Sequence, residues 1–332
     1  MRGTKKVLIS ALLFLGVGLV FGTVSYAWFS LSLTNNIEGL TLTASTGDEL
    51  QISFDGINFS SELPMDELIK DPDGVRLFDV TSIDGINFET GGLRPKGVAI
   101  PNEHYLSFDV WFRTSQNEHS VYLYNDISDD MTYDSDNQVG TYVVSKGVVW
   151  RAPHQFFNGP NIEDVVLQGE VGTYYGSDAM RIAVIELNDE LNPLDVREES
   201  ELKRFIFDPS GDPMRGYAAT FGQFSYFFQR TLIYVELPTE IPVVTYRLSE
   251  MDRFNPYQAL DNESLVSDLQ PTGLIDEKTG KEIYQGKVRV NIWIEGWDAD
   301  AFDALDKDRM KIQLQFKPVS YTHLTLPTKR IV

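Results

Sequence analysis

The chain has 332 residues, a net charge of −21 and no cysteine. An acid excess of that size repels nucleic-acid phosphates and anionic lipid headgroups, so no nucleic-acid partner is expected. Without thiols there is no disulfide framework, thiol nucleophile or cysteine metal site, while 12% aromatic residues supply a large core instead.

The first residues carry the cations Arg2, Lys5 and Lys6, and an apolar run extends from Val7 to Phe29. Cations, an apolar run and then small residues form the layout of an export signal. Ser25 and Ala27 fill the small-residue positions before a cut that leaves Trp28 first. Uncut, the same run spans a bilayer, since about 20 residues suffice as a helix. The small residues before Trp28 favour cleavage. On either reading the cations stay on the cytoplasmic side and the rest is exported. Residues 1–27 are therefore a signal peptide or membrane anchor. The partners this implies are the export machinery, a signal peptidase and a membrane reached through this segment.

Strand signals dominate the rest of the chain. Alternating apolar and polar residues predict strands over Gly39–Ala44, Glu49–Phe54, Tyr105–Thr114, Ser120–Asp126, Met180–Leu187, Phe224–Leu237, Lys287–Gly296 and Met310–Phe316. In the seventh of these, Val288, Val290, Ile292 and Ile294 share one face, and Arg289, Asn291, Trp293 and Glu295 the other. Trp293 thus needs either a second buried layer or an interaction surface. The pentapeptide Asp-Gly-Ile-Asn-Phe occurs at Asp55–Phe59 and Asp84–Phe88. Asp-Gly is a strong hairpin signal, and a tip used twice is the simpler reading than a duplicated unit. Helix is scarce. Asp298–Asp308 can form one short helix capped by Asp298, and Asn255–Leu269 another. The pattern as a whole predicts an all-β, antiparallel β-sandwich or jelly roll over residues 28–318, with a short helix near the C-terminus. It is compatible with one large domain, with or without a large insertion, or with two smaller ones.

Candidate chemistry is sparse. His104, His119 and His154 sit in no nucleophile-elbow or metal-ligand spacing. Glu295, Asp298, Asp300 and Asp303 cluster in sequence, but among 49 acids such proximity carries little information, and helix capping accounts for much of it. Nothing here names a reaction, and a non-enzymatic role is expected. The acidic stretch from Asp126 to Val139 reads as an exposed loop. Asp134, Asp136 and Gln138 alternate as in a calcium loop, yet the glycine comes one place late and Ser145 stands where glutamate belongs. A looser calcium cage from Asp126, Asp129, Asp130, Asp134 and Asp136 remains open. Trp111, Trp150, Trp293 and Trp297 are the candidates for stacking on a sugar, with Trp293 the first to test and Trp297 beside it.

The last residues form a separate case. Val319–Thr328 reads Val-Ser-Tyr-Thr-His-Leu-Thr-Leu-Pro-Thr, which resembles one reading frame of a transposon-type sequencing adapter. Residues 319–332 are accordingly set aside as an artefact, and the sortase-like Leu-Pro-Thr-Lys within them is not read as a wall signal.

At Tyr26–Ser45 the chain resembles the N-terminal region of secreted Gram-positive proteins of the TasA/camelysin kind. Ala27, Trp28, Phe29 and Ser30 match the layout of signal end, aromatic and small polar residue, and a strand starts soon after. The aspartate that often comes after that pair is missing. The resemblance implies a jelly-roll subunit of an extracellular matrix fibre, in which a freed N-terminal segment adds as a strand to the next subunit. Phe29, Leu31 and Leu33 alternate with Ser30, Ser32 and Thr34 as such a segment requires. The expected function is that of an exported surface or matrix structural protein, partnered by itself or by other surface proteins. The alternative is a carbohydrate-binding or adhesive module, with or without calcium.

Overall fold

The computed structural model describes residues 34–44, 50–64, 75–90, 97–117, 119–125, 131–135 and 139–319. The predicted leader, residues 1–27, and the tail beyond Val319 lie outside them. Among the described residues no helix is long and apolar enough to cross a membrane.

In chain order the strands are β1 (Asn35–Ala44), β2 (Gln51–Ser53), β3 (Glu62–Pro64), β4 (Val75–Leu77), β5 (Asp79–Thr81), β6 (Glu89–Thr90), β7 (Leu106–Thr114), β8 (Ser120–Leu123), β9 (Tyr142–Ser145) and β10 (Val148–Arg151). Then come β11 (Phe156–Phe157), β12 (Val165–Val166), β13 (Val171–Tyr174), β14 (Met180–Leu187) and β15 (Arg204–Phe207). Helix α1 (Gln223–Thr231) precedes β16 (Leu265–Asp268), β17 (Gln270–Ile275), β18 (Glu282–Glu295) and β19 (Arg309–Val319).

Most of these strands build two facing sheets, and β10 with β13 and β11 with β12 form two separate two-stranded ribbons. In the first, β19 is central. It pairs in parallel with β1 on one side and antiparallel with β8 and β9 on the other, and β16 and β3 lie at the margins. In the second, β18 is central, between β14 and β7. Alternation explains why the sheets stack. The even residues of β18, Val288 to Ile294, face the even residues of β19, Met310 to Phe316, across one apolar core. Phe112 of β7 meets Phe316 edge-on at 4.8 Å and ties the layers together.

The odd face of β18 is covered too. Trp293, fully buried, packs with Val80, Phe88, Tyr105, Ala183 and Ile206 in a second apolar layer. A third, smaller cluster joins Trp150, Phe156, Tyr174, Tyr226 and Phe302, where the β10–β13 ribbon and α1 meet the loop after β18.

Three expectations about elements need correction. Phe224–Leu237 is not one strand: Gln223–Thr231 is helical, and an extended stretch comes after it. Its aromatic residues read locally as strand, but Tyr226 is drawn into the third cluster against Phe156 and Phe302, 5.3 and 5.6 Å away. Asp298–Asp308 holds only a 3₁₀ turn, Asp303–Leu305. The Asp298 carboxylate is taken by Arg181 and caps no helix. Asn255–Leu269 contains no helix; its end is β16. Val319, the first residue of the set-aside tail, closes β19 opposite Ser120 and is buried.

The repeated pentapeptide proves to be a repeated structure. In each copy the aspartate Oδ1 accepts two backbone N–H groups: Ile57 and Asn58 on Asp55, Ile86 and Asn87 on Asp84, all at 2.8 Å. In each, a serine two residues before the aspartate accepts the glycine N–H at 3.0 Å, Ser53 from Gly56 and Ser82 from Gly85. The flanking pairs correspond as well, Ile52 with Ser60 and Thr81 with Glu89. Both glycines are left-handed, at φ 71° and 72°. Gly85→Ala is expected to cost about 2–5 kcal/mol: roughly 1–2 from left-handed strain, the rest from a methyl driven onto Ala183. Gly56→Ala, whose methyl meets the movable end of Leu191, is expected to cost less. Thermal denaturation of the two variants checks the order; equal losses would rule out a tight contact at Ala183.

Candidate functional site

The densest buried polar chemistry lies at the end of the second sheet, where β14 begins and β18 ends. Arg181 occupies the second position of β14 and Glu295 the last of β18. The turn after β18 brings in Asp298 and Asp300, and the loop after β15 brings Asp208. Arg181, Asp208, Glu295 and Asp298 are each at most 2% exposed. One guanidinium nitrogen of Arg181, Nη2, serves both Asp298 and Asp208, the latter at 2.8 Å. Asp208 Oδ2 makes no aligned hydrogen bond, so its link to Arg181 is one of charge alone. Arg215 grips Asp300 through two contacts of 2.8 and 2.6 Å.

Burial dominates the protonation of this group. It raises the Asp298 carboxyl to about 8, against the opposing pull of Arg181. It also raises Asp208 and Glu295, and it lifts Asp178 to about 6 with help from the Asp300 charge. Burial alone would lower Arg181, but Asp298, Asp208 and Glu295 outweigh it and hold the guanidinium charged. Two carboxylates around one buried cation leave an excess negative charge. A proton on Asp298 removes it.

The four acids that cluster in sequence are committed to different donors. Glu295 accepts the Trp293 Nε1–H at 3.0 Å and the Trp297 N–H at 3.1 Å. Asp298 takes Arg181, and Asp300 takes Arg215. Asp303 accepts the Tyr226 hydroxyl at 2.9 Å and pairs with Arg230. The cluster therefore fastens β14, β18, the β15 loop and α1 to one another. Sequence reasoning missed Arg181, Arg215 and Asp208. A signal for the first was present: Arg181 and Glu186 interrupt an otherwise aliphatic strand, as buried, paired charges do.

The other predicted residues are spread over the fold. Trp293 is fully buried, which corrects its assignment as a sugar-stacking platform: the second apolar layer claims it. Trp297 is half-buried. Asp134 is exposed, while Asp126, Asp129, Asp130 and Asp136 lie outside the described residues. So do Ser25, Ala27, Trp28, Phe29, Leu31 and Leu33. Among the described residues no group of three or more His, Asp or Glu is placed to hold a metal ion. His104 Nδ1 accepts the Ile100 N–H, and the ring of His119 stacks on Tyr284 at 3.5 Å.

Comparisons with protein-family models, with curated proteins and with solved structures find no match.

The Asp298 shift has a measurable consequence. Its carboxyl sits near the ordinary 3.8 when unfolded and about 8 when folded. The folded state keeps a proton that the unfolded chain releases. The stability this group contributes is complete below about pH 4 and is lost as the pH rises toward about 8. Asp298→Asn is expected to flatten the stability–pH curve in that window by up to ~1.4 kcal/mol per pH unit. Urea midpoints at several pH values check this, and parallel curves would mean that Asp298 is ionised in the folded protein.

Proposed function

We propose that the chain is an exported, non-enzymatic structural protein of the cell surface or extracellular matrix, a sandwich of the jelly-roll kind that assembles by N-terminal strand addition. The observation that supports this most is the phase of β1. Asn35 and Ile37 are buried on its core face. Phe29, Leu31 and Leu33 fall on the same parity, so the sequence upstream of Thr34 repeats the inward-facing pattern of a sheet strand. An uncharged segment of that kind is suited to the open sheet edge of another acidic copy. The uses found for the buried acids are consistent with a scaffold: each holds two parts of the chain together.

The test is made on the protein as exported. Leu31→Pro and Leu33→Pro remove backbone donors from the added strand and lie before the first ladder residue, Asn35. Polymers visible by electron microscopy are expected for the parent and to be fewer and shorter in these variants, with unchanged melting temperatures. Undiminished assembly in both variants would end the strand-addition reading.

A further inference from the structure

Two parts of the fold lack partners in complementary ways. On its inner side β15 pairs with β14, and the Glu186 N–H donates to the Lys203 carbonyl. Strand parity then turns the backbone groups of Phe205 and Phe207 toward β14 and those of Arg204 and Ile206 outward. Outside, Thr245 alone covers the end of the strand: its N–H donates to the Ile206 carbonyl at 2.8 Å and its carbonyl accepts the Asp208 N–H at 2.9 Å. The N–H and carbonyl of Arg204 and the N–H of Ile206 have no hydrogen-bond partner among the described residues. Beside them run two adjoining hollows of about 600 and 680 Å³ that share Arg204, Phe205 and Asn262.

The second part is the stretch after α1. Leu232 ends the helix in a left-handed conformation, φ 58°, and the Ile233 N–H bonds to Thr231 Oγ1. From Tyr234 to Val244 no backbone group is hydrogen-bonded among the described residues. Yet residues 233–237 read Ile-Tyr-Val-Glu-Leu, a composition that favours strand. Leu232 and Tyr234 are 77% and 71% exposed. One element is a sheet edge without a strand, and the other is a strand sequence without a sheet.

Charge selects between occupants. Arg204 is exposed on the open edge beside Lys203, which already faces Asp268 at 3.7 Å, and Glu236 is the fourth of the five strand-like residues. Among the described residues neither Arg204 nor Glu236 is in an ion pair. The hollows beside the edge are also lined by Asp84, Glu240, Glu263 and Asp268, and Arg204 is the exposed cation among them that a strand carrying an acid can pair with.

We propose that residues 233–237 of one copy add as a strand to the outer edge of β15 in a second copy, with Glu236 meeting Arg204. The two surfaces differ, so the contact is head-to-tail and yields chains or rings. It uses no residue before Thr34 and stands or falls separately from strand addition by Phe29–Leu33.

Sedimentation velocity of the full-length protein over a concentration series reads the association, in the parent and in a Leu31→Pro background that silences the other contact. Arg204→Glu and Glu236→Lys are each expected to weaken self-association at least ~10-fold, about 1.4 kcal/mol. The Arg204→Glu/Glu236→Lys pair is expected to restore it to within about 3-fold of the parent. Val235→Pro, in a stretch with no backbone hydrogen bond to lose, is expected to abolish association without shifting the melting temperature. A monomer at every concentration in the Leu31→Pro background would overturn the proposal. Single variants that associate like their parent, or a charge-swapped pair that does not recover, would overturn it too.

Discussion

Both faces of β18 are buried, and much of the fold answers to that constraint. An antiparallel strand in a sandwich ordinarily gives one face to water. Here the even residues enter the core between the sheets, and on the odd face only Arg289 reaches solvent substantially, while Lys287, Asn291, Trp293 and Glu295 are closed over. A buried polar group without a partner costs roughly 1–3 kcal/mol, so the odd face needs specific donors and acceptors as well as a lid. Lys287 pairs with Asp109 and Glu190, at 3.1 and 2.7 Å. The Asn291 amide donates to the Gly85 carbonyl at 2.8 Å, which brings the tip of the second hairpin across the sheet. Trp293 donates to Glu295, so the largest side chain of the layer satisfies the buried acid two residues on. The hairpin β5–β6 is thus held where this face needs cover.

The Arg181 group results from the same enclosure. Where β14 and β18 run together at the edge of the lid, Arg181 and its carboxyl partners are buried together. Taking an ion out of water costs several kcal/mol, and attraction offsets this only with good geometry. Arg181 gives one nitrogen to two carboxylates, and one of those, Asp208, holds it at 2.8 Å without an aligned hydrogen bond. An arrangement of that kind is weak evidence of stability but strong evidence of position. Removal of Arg181 would leave buried carboxyls without their cation, so the loops after β15 and β18 are tied to one place.

How much of this was legible in the sequence depends on the distance over which the cause acts. The strands β7, β14, β18 and β19 were readable because alternation is written within eight or nine residues. The division of β18 into two faces was readable as well, including that Trp293 needed either a second buried layer or an interaction surface. The choice between that layer and an interaction surface was not, because Phe88, Tyr105 and Ile206 reach Trp293 from distant parts of the chain. The α1 segment misleads because Phe224–Leu237 is rich in residues that favour strands, and packing of Tyr226 against Phe156 and Phe302 overrides that preference. Asp298 misleads for the opposite reason: it is a good cap locally, but its long-range partner Arg181 lies 117 residues away. Of the buried charge cluster, only the oddity of Arg181 within an aliphatic strand was visible in advance.

The two Asp-Gly-Ile-Asn-Phe hairpins show where local chemistry stops and tertiary structure begins. Five internal hydrogen bonds recur in both, while Asp55 N–H to Ser53 Oγ is made only in the first and Ser82 Oγ to the Asn87 carbonyl only in the second; in both the aspartate carboxyl is held below the ordinary carboxylate range. In Asp55 the Asn58 and Ile57 N–H groups do this; in Asp84 burial opposes it, and the Asn87 and Ile86 N–H groups prevail. The surroundings differ completely. Gly56 lies against Leu191 and Trp111, whereas Gly85 lies against Ala183 and Ile206. Ile57 is 73% exposed, but its counterpart Ile86 is only 44% exposed, and Phe88 is buried in the second layer. The repeated pentapeptide and its serine therefore specify a loop and nothing beyond it. What each loop covers is set by the strands that carry it, β2 beside β7 and β5 beside the end of β18. An identical motif thus serves as a margin in one place and as a lid in the other.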